Sequence, residues 1–282
     1  MIGLSEYREV CYFLEERHGL QVPDTNHARL EDFIASRMTG KGWIFHEYLT
    51  ALESIREESD LVINAATIGE TYFFRDEAHF TFIKETILPF FARTGHVPLA
   101  WSAAASTGEE IVSLAAIYTD FYGLPEAFPG KLWASDINAL SLAALRSGRF
   151  SPRSLRDDGK QLHPLLEPWL NLDSRSLILD DRLLQSIQTV KLNLMTEAFD
   201  AIPAGVDILI LKNMMIYLSH ESRKKLYDKL GDKLSDSGFL IIGKSEVPFF
   251  ENSNLVLMES GGIFFFVPRT SQYLERVSAG VA

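Results

Sequence analysis

Cysteine is nearly absent from this 282-residue chain, and membrane-length apolar runs and a basic leader are missing. Its single cysteine, Cys11, excludes an internal disulfide and a thiolate metal cluster. The apolar runs are of strand length, well below the roughly 20 residues that a membrane-spanning helix needs. The N-terminal MIGLSEYREV has acidic residues where a signal peptide has a basic stretch. We therefore predict a cytoplasmic protein without a direct membrane insertion.

Several catalytic and binding motifs are missing as well. The seven histidines are scattered, without an H-x-x-x-H pair or a neighbouring cysteine, so we expect no metal site. The chain contains neither a G-x-S-x-G nucleophile motif nor a P-loop. It also lacks G-x-G-x-x-G, which disfavours a dinucleotide cofactor with its pyrophosphate.

Positive charge is scarce, because 27 basic residues stand against 38 acidic ones and give a formal net charge of −11. This sign opposes attraction to nucleic acid and to anionic membranes, so we expect neither as a partner. The imbalance is concentrated in residues 1–60, where six basic and twelve acidic residues give −6. The hydrophobic fraction of 46% is that of an ordinary globular protein.

Hydrophobic periodicity divides the chain into two parts. Residues 5–60 have apolar side chains at helical spacing, with breaks at Gly19–Pro23 and Gly40–Gly42, which predicts a helical N-terminal domain over residues 1–62. From Val97, short apolar runs alternate with helical patterns. This alternation predicts a doubly wound, mostly parallel α/β sheet with helices on both faces. The predicted strands are Pro98–Ala104, Lys131–Ile137, Thr189–Leu194, Val206–Lys212 and Gly238–Lys244.

Three segments depart from this alternation. Two apolar runs in Leu255–Val267, joined through ESGG, predict an antiparallel hairpin that closes the sheet edge. Residues 147–188 are longer than one crossover helix requires and predict an inserted subdomain. We therefore assign residues 63–268 to the α/β domain and residues 269–282 to a polar tail or linker.

Small residues separate a predicted strand from a helix in LAWSAAASTGEEIVSLAAIY, residues 99–118. Such a turn lets a ligand approach the backbone closely. Ser106-x-x-Glu109 and Thr107-x-x-Glu110 both fit the capping-box pattern. Two carboxylates at the helix start disfavour a phosphate and suit a ligand with hydroxyls or positive charge, although either glutamate alone is equally explained by the helix dipole.

Two further candidates lie where predicted strands end. Asp136 ends the strand in LWASDI, where an acidic residue of a nucleotide-binding sheet accepts hydrogen bonds from ribose hydroxyls. Its alternative role is to cap the helix that begins near Ala139. Asn213 ends a later strand, where open α/β sheets place their ligands, and Tyr217 follows it. Core packing is the alternative for Tyr217.

Arg75 follows directly on the aromatic triplet Tyr72–Phe74 in ATIGETYFFRD. A buried arginine needs an anionic partner, which makes Arg75 a candidate for binding an anionic group. The alternative is a surface salt bridge with Asp76 or Glu77.

These segments together resemble the CheR family of chemoreceptor glutamate methyltransferases, which use S-adenosylmethionine. The resemblance spans roughly residues 65–267, and residues 5–60 look like the family's helical N-terminal domain. The insertion at 147–188 occupies the place of the family's small β subdomain. A Rossmann-like methyltransferase fold is implied. The matching segments are TIGETYFFRD, WSAAASTGEE, ASDINALSLAALRSGRF, VKLNLMTEAFD and KNMMIYLSHESRKKLYDKLGDKLSDSGFLIIGKSE.

The resemblance implies a set of site residues. Arg75 and Tyr217 are implied to border the transferring methyl group and to orient the acceptor. The products are a glutamate methyl ester and S-adenosylhomocysteine, and no metal is needed. A carboxylate nucleophile is already ionised at pH 7, so the reaction needs no general base. The implied cofactor contacts are Thr71, Arg75, Glu109, Asp136, Asn193, Leu194, Lys212 and Asn213.

Three features depart from the family pattern. Gly69 replaces the Asn of T-N-x-T, and Lys212 replaces an Arg, which keeps the charge without the planar fork. The N-terminal domain is acidic where the family presents a basic face to receptor helices, although Arg29, Arg37 and Lys41 are spaced to form a local basic stripe.

We predict a chemoreceptor-like signalling protein as acceptor. The alternatives are another protein or small-molecule acceptor, or a non-catalytic cofactor-binding scaffold.

Overall fold

The structure is a computed structural model and describes residues 2–173, 175–250 and 254–278. A helical N-terminal part precedes an α/β part, and a π-helical turn, Ile83–Ile87, joins two of the helices. The α-helices are α1 Leu4–His18, α2 His27–Lys41, α3 Phe45–Ser54, α4 Arg56–Ala66, α5 Glu77–Phe82, α6 Leu88–Ala92, α7 Glu109–Tyr122, α8 Ala139–Arg146, α9 Asp181–Gln185, α10 His220–Lys233 and α11 Gln272–Ser278. The strands are β1 Ala100–Ser102, β2 Leu132–Asp136, β3 Arg149–Phe150, β4 Leu170–Asp173, β5 Ser176–Leu179, β6 Ile187–Lys191, β7 Val206–Leu211, β8 Leu234–Ile242, β9 Leu255–Ser260 and β10 Ile263–Pro268.

The central sheet has seven strands in the order β6–β2–β1–β7–β8–β10–β9. The first five are parallel, and β10 runs antiparallel to both β8 and β9. Alternate residues of β7 enter two separate apolar clusters, Ile208 and Ile210 in one and Leu209 and Leu211 in the other. Both sheet faces are therefore covered, and the predicted doubly wound α/β fold with its terminal hairpin is confirmed.

The two segments outside the regular alternation have different outcomes. Residues 147–188 contain a small antiparallel sheet in the order β3–β5–β4, which agrees with the predicted insertion. The predicted tail differs, because its described part includes α11, and Tyr273 packs against Phe90, Phe239 and Phe265. One buried aromatic side chain is enough to fix this short helix on the core. Residues 279–282 lie outside the described residues.

The N-terminal helices have their own apolar core and lie over the carboxyl ends of the sheet. Gly19 and Gly42 end α1 and α2 in the left-handed conformation, at φ of 68° and 69°, where the sequence predicts breaks. Asn138 Nδ2 donates to Asn64 Oδ1 across the junction with the α/β part, at 2.9 Å. In the described ranges, no helix has both the length and the apolar character to cross a membrane.

In the predicted basic stripe on α2, Arg29 and Lys41 are exposed, whereas Arg37 is half-buried. Arg37 binds the carboxylate of buried Glu58 on α4. Arg29 donates to the carbonyl oxygens of Asn64 and Thr67, at 3.4 and 3.5 Å. Arg37 thus holds α2 against the first turn of α4, and Arg29 holds it against the last turn of α4 and the residue that follows it. The two guanidinium groups take these partners because an unpaired carbonyl at a helix end or a buried carboxylate costs free energy when it has no donor.

Candidate active site

A cavity opens at the carboxyl ends of β1, β2 and β7, where the strand order of the sheet reverses. It contains about 890 Å³ of empty space, part of which is open to solvent. The segment 67–71 and Leu20 form one wall, and the turn after β1 forms another. Eight of the nine site residues expected from the sequence line it: Thr71, Arg75, Asp136, Asn193, Leu194, Lys212, Asn213 and Tyr217.

The ninth residue, Glu109, lies away from the cavity lining, and its neighbour Glu110 takes the predicted place. Glu109 is 4% exposed, and its carboxylate accepts hydrogen bonds from Ser154 Oγ and Thr107 Oγ1. The helix cap also differs from the two predicted capping boxes, because Gly108 is the N-cap residue, at φ 96°. Adjacent helical residues point about 100° apart, so this turn decides which glutamate faces the cavity.

Asp136 is held by two backbone groups at the cavity wall. Its Oδ2 accepts from Ser106 N–H and its Oδ1 from Asn138 N–H, both at 2.8 Å. Burial raises the pKa of the Asp136 carboxyl, and these N–H groups oppose that rise. The alternative capping role belongs to Asn138, whose Oδ1 accepts from Leu140 and Ser141 N–H. The carboxylate of Asp136 retains lone pairs for two ligand hydroxyls.

Lys212 is almost fully buried and binds oxygens from two sides of the cavity. Its Nζ lies 3.3 Å from Glu110 Oε2 and 3.3 Å from Asp76 Oδ2, and it donates to the Arg75 carbonyl at 2.9 Å. A compact ammonium group suits three such converging acceptors. Lys212 therefore fixes the backbone of Arg75 and orients Glu110.

The Arg75 guanidinium lies at the cavity wall and is only partly buried. Its Nη1 donates to the Glu70 carbonyl at 2.8 Å, in place of the alternative salt bridge with Asp76 or Glu77. It also lies 5.7 Å from the centre of the Tyr72 ring. Since a carbonyl uses only one of its five N–H donors, Arg75 retains donors for an anionic ligand.

Backbone strain is concentrated around this cavity. Of the four non-glycine residues with positive φ in the described ranges, Ser106 and Asn213 line the cavity, and Phe74 and Asp76 flank Arg75 in sequence. This conformation is unfavourable for residues with a Cβ and persists where surrounding contacts hold it. Gly69 has a steric role of another kind, because a Cβ there would lie 3.1 Å from Ser106 Oγ, which donates to the Gly69 carbonyl.

Glu246 supports the loop next to the cavity and is not among the site residues predicted from the sequence. It is 3% exposed, and its carboxylate accepts the backbone N–H groups of Asn213, Met214, Met215 and Gly243 at 2.9–3.0 Å. It thereby holds the loop after β7 in the shape that carries Asn213 into the cavity. The sequence feature that could have identified Glu246 is its position in GKSE, a single carboxylate directly after an apolar strand.

Tyr217 joins the cavity to the N-terminal part. Its hydroxyl accepts from Ile68 N–H at 2.7 Å and donates to the Ile68 carbonyl at 3.2 Å, and burial raises its pKa. Its own carbonyl accepts from Gln21 N–H at 2.8 Å. The hydroxyl group of Tyr217 has one proton, and the Ile68 carbonyl accepts it. In this arrangement Tyr217 therefore cannot donate the expected hydrogen bond to the methyl-accepting substrate.

Asn193 and Leu194 close the cavity next to α1. Asn193 Nδ2 donates to the His18 carbonyl at 3.1 Å, and its Oδ1 accepts from Met195 N–H at 2.9 Å. Leu194 is buried in the apolar wall, with Leu192 and Ile137 close by. The side chain of Asn193 thus acts as a bridge between the two parts of the chain.

The lining has the chemistry that S-adenosylmethionine requires. Asp136 offers acceptors for a ribose diol, while Ile137, Leu192 and Leu194 supply apolar surface for an adenine ring. Glu110 adds a carboxylate to the lining, which a ligand ammonium group can share with Lys212. Across the described ranges, no three histidine, cysteine or acidic side chains are grouped as metal ligands are.

Comparison with known proteins gives one family and several relatives. Residues 69–261 match the family model described as "CheR methyltransferase, SAM binding domain". The chemotaxis protein methyltransferase of Salmonella typhimurium is 28% identical over 86% of this chain and 83% of its own length. Chemotaxis protein methyltransferase 2 of Pseudomonas aeruginosa is 32% identical over 75% of each chain. The matched span includes every cavity residue named above apart from Leu20 and residues 67–68.

Proposed function

The chain belongs to the CheR methyltransferase family, and from this premise we propose that it methylates glutamate side chains of a chemoreceptor-like signalling protein. The names of its relatives, chemotaxis protein methyltransferases, support the acceptor class. The observation that carries the proposal is the placement of Arg75, Glu110 and Asp136 around one cavity. The proposed location is the cytoplasm.

S-adenosylmethionine, when bound, supplies a methyl group on a positively charged sulfur and becomes S-adenosylhomocysteine. The residues proposed to hold it are Asp136 at the ribose, the apolar side chains of Ile137 and Leu194 at the base, and Glu110 at the amino group. These side chains position the donor rather than react with it. Positioning of this kind can lower a barrier by several kcal/mol.

Arg75 is proposed to hold the acceptor carboxylate. A glutamate is already ionised at pH 7, so the enzyme has only to align one of its oxygens with the methyl group. The guanidinium can donate two parallel hydrogen bonds to such a carboxylate and so fix its plane. Tyr217 is proposed to act through Ile68, by holding the segment 67–71 over the cavity.

The test is methylation of a purified chemoreceptor cytoplasmic fragment from the same organism with methyl-labelled S-adenosylmethionine. A glutamate methyl ester releases labelled methanol in alkali, whereas a methyl group on nitrogen stays attached. Alkali-labile incorporation supports the proposed ester. Alkali-stable incorporation contradicts the glutamate acceptor, and the absence of transfer with bound S-adenosylhomocysteine supports a scaffold instead.

We predict that Arg75→Ala lowers turnover far more than cofactor affinity, by about 100-fold or more against a change of less than about fivefold, because the guanidinium acts mainly on the acceptor. Turnover is measured in the methyl-ester assay and affinity by calorimetric titration of S-adenosylhomocysteine. The exposed Arg93 provides a control substitution to Ala. A loss confined to affinity contradicts the proposed role of Arg75.

A further inference from the structure

The outer rim of the cavity has a second arginine. We infer that Arg156, on the inserted segment, binds an acidic residue of the acceptor that lies next to the methylated glutamate. The inference rests on the proposed function, because it concerns the acceptor of that reaction. It assigns substrate recognition to a different part of the chain from the N-terminal helices.

Arg156 and Arg75 lie against the same aromatic ring. The guanidinium carbon of Arg156 is 4.4 Å from the centre of the Tyr72 ring, and that of Arg75 is 5.7 Å from it. Arg75 lines the cavity, whereas the side chain of Arg156 is 43% exposed. Two cationic groups thus contact one aromatic ring, one of them at the cavity wall and the other exposed to solvent.

The position of this ring is fixed by the inserted segment itself. Tyr72 Oη donates to Asp158 Oδ2 at 2.7 Å, and the same oxygen accepts from Asp76 N–H at 3.2 Å. Arg156 Nη1 donates to Glu70 Oε1 at 2.8 Å, and Glu70 also belongs to the cavity wall. Arg156 therefore has a defined place at the rim rather than a freely moving side chain.

Arg156 has binding capacity that its internal partner leaves unused. A guanidinium has five N–H donors, and Glu70 receives one of them. The Glu70 side chain is 59% exposed, and exposed ion pairs contribute little to stability. A carboxylate from the acceptor can therefore share the guanidinium without the loss of a strong internal contact.

The distribution of charge favours the same surface. The inserted segment, residues 147–188, has six basic and six acidic residues, a net charge of zero, whereas residues 1–60 have −6. In the N-terminal part, Arg29 and Arg37 are used for internal contacts. A negatively charged acceptor is thus repelled by the helical part but not by the net charge of the inserted segment, where the side chain of Arg156 is 43% exposed. The net charge of −11 disfavours nucleic acid or an anionic membrane as the occupant.

The experiment measures methyl-ester kinetics with the receptor fragment for wild type, Arg156→Glu and Arg156→Lys. The matched control is Arg182→Glu, since Arg182 also pairs with an acidic residue and lies 5.4 Å from an aromatic ring centre. Arg182 precedes the amino end of β6, at the edge of the sheet opposite the cavity. Calorimetric titration of S-adenosylhomocysteine into each variant monitors the cofactor site.

We expect Arg156→Glu to raise the acceptor KM about three- to tenfold, with kcat and cofactor affinity within about twofold of wild type. Arg156→Lys restores most of the KM, and Arg182→Glu leaves it unchanged. The effect of Arg156→Glu disappears when the acidic neighbours of the methylated glutamate are replaced by glutamine. Wild-type KM in Arg156→Glu overturns the inference alone. Failure of wild type to form a methyl ester overturns the proposed function and this inference with it.

Discussion

Glu246 accepts four backbone N–H groups from two loops and does not itself line the cavity. Three of these donors belong to the loop that starts at Asn213, which has the left-handed φ of 60°. A carboxylate with four donors is well satisfied although it is buried, whereas an amide in its place presents N–H groups to other N–H groups. The shape of the site thus depends on a residue outside it.

We predict that Glu246→Gln lowers the free energy of unfolding by about 1–3 kcal/mol and weakens S-adenosylhomocysteine binding at least fivefold. Urea unfolding and calorimetry measure the two effects. Glu47→Gln is the matched control, because Glu47 caps a helix through a single N–H group, that of Ile44, on an exposed surface. Its expected effect on stability is below about 1 kcal/mol. Equal effects of the two substitutions would refute the role given to Glu246.

Individual site residues were predictable to different degrees. The position of Asp136 follows from the end of an apolar strand and needs no knowledge of distant contacts. The choice between Glu109 and Glu110 depends on the turn at Gly108, which the capping pattern did not reveal. Glu246 is 33 residues from Asn213 in sequence, and a contact at that distance has no local pattern.

Among the elements, the buried strands were the most predictable, because an apolar run between turn residues has few other places in a fold. The residues at which the strands begin and end were less predictable. For β8, the strand begins at Leu234, before the predicted Gly238, because the chain passes directly from α10 into the sheet and Leu234 pairs with Val206. Helix α11 was missed because only one of its residues, Tyr273, is a large buried anchor.

The start of α7 depends on Gly108, and we predict that Gly108→Ala lowers the free energy of unfolding by roughly 2–5 kcal/mol. Its φ is 96°, and an added Cβ would lie 2.3 Å from Cδ1 of the buried Leu145. Gly40→Ala is the matched substitution in α2, where a Cβ has no atom within 4 Å. It is expected to stabilise by about 0.5–1 kcal/mol. Urea unfolding of both variants provides the test, and the same sign for both would contradict this account.

For the molecule as a whole, one buried histidine makes stability depend on pH. Burial lowers the pKa of His79 to about 4, with a further contribution from the Lys212 ammonium and an opposing one from Asp76. The unfolded chain binds this proton below about pH 6.5, and the folded protein only near pH 4. The contribution of His79 to stability is therefore complete above pH 6.5 and is lost as the pH falls toward 4.

We predict that wild type loses about 2–3 kcal/mol more of its unfolding free energy between pH 7 and pH 4.5 than His79→Leu does. His79 Nδ1 has no hydrogen-bond partner in the described part of the chain, so leucine is tolerated there at pH 7. Urea unfolding at the two pH values gives the difference, in which other titrating groups cancel. Parallel pH curves for the two proteins would exclude His79 as the source.

The organisation of the whole chain was predictable in its parts but not in their junction. The helical N-terminal domain, the α/β domain and the insertion each have their own sequence pattern. Their junction depends on single long-range contacts, such as Asn193 with the carbonyl of His18 and Tyr217 with Ile68. Such contacts carry no periodicity, and the sequence therefore gives no sign that the N-terminal part forms a wall of the cavity.

This junction also determines when, during synthesis, the chain becomes able to bind the cofactor. Glu246, which shapes the opposite wall, leaves the ribosome 226 residues after Leu20. At 5–20 residues per second, about 10–50 seconds separate the two. During that interval the N-terminal helices lack the later residues that they contact in the folded protein. Closing a loop this long is also slow. Cofactor binding is then a property that the nascent chain acquires only after Glu246 has been made.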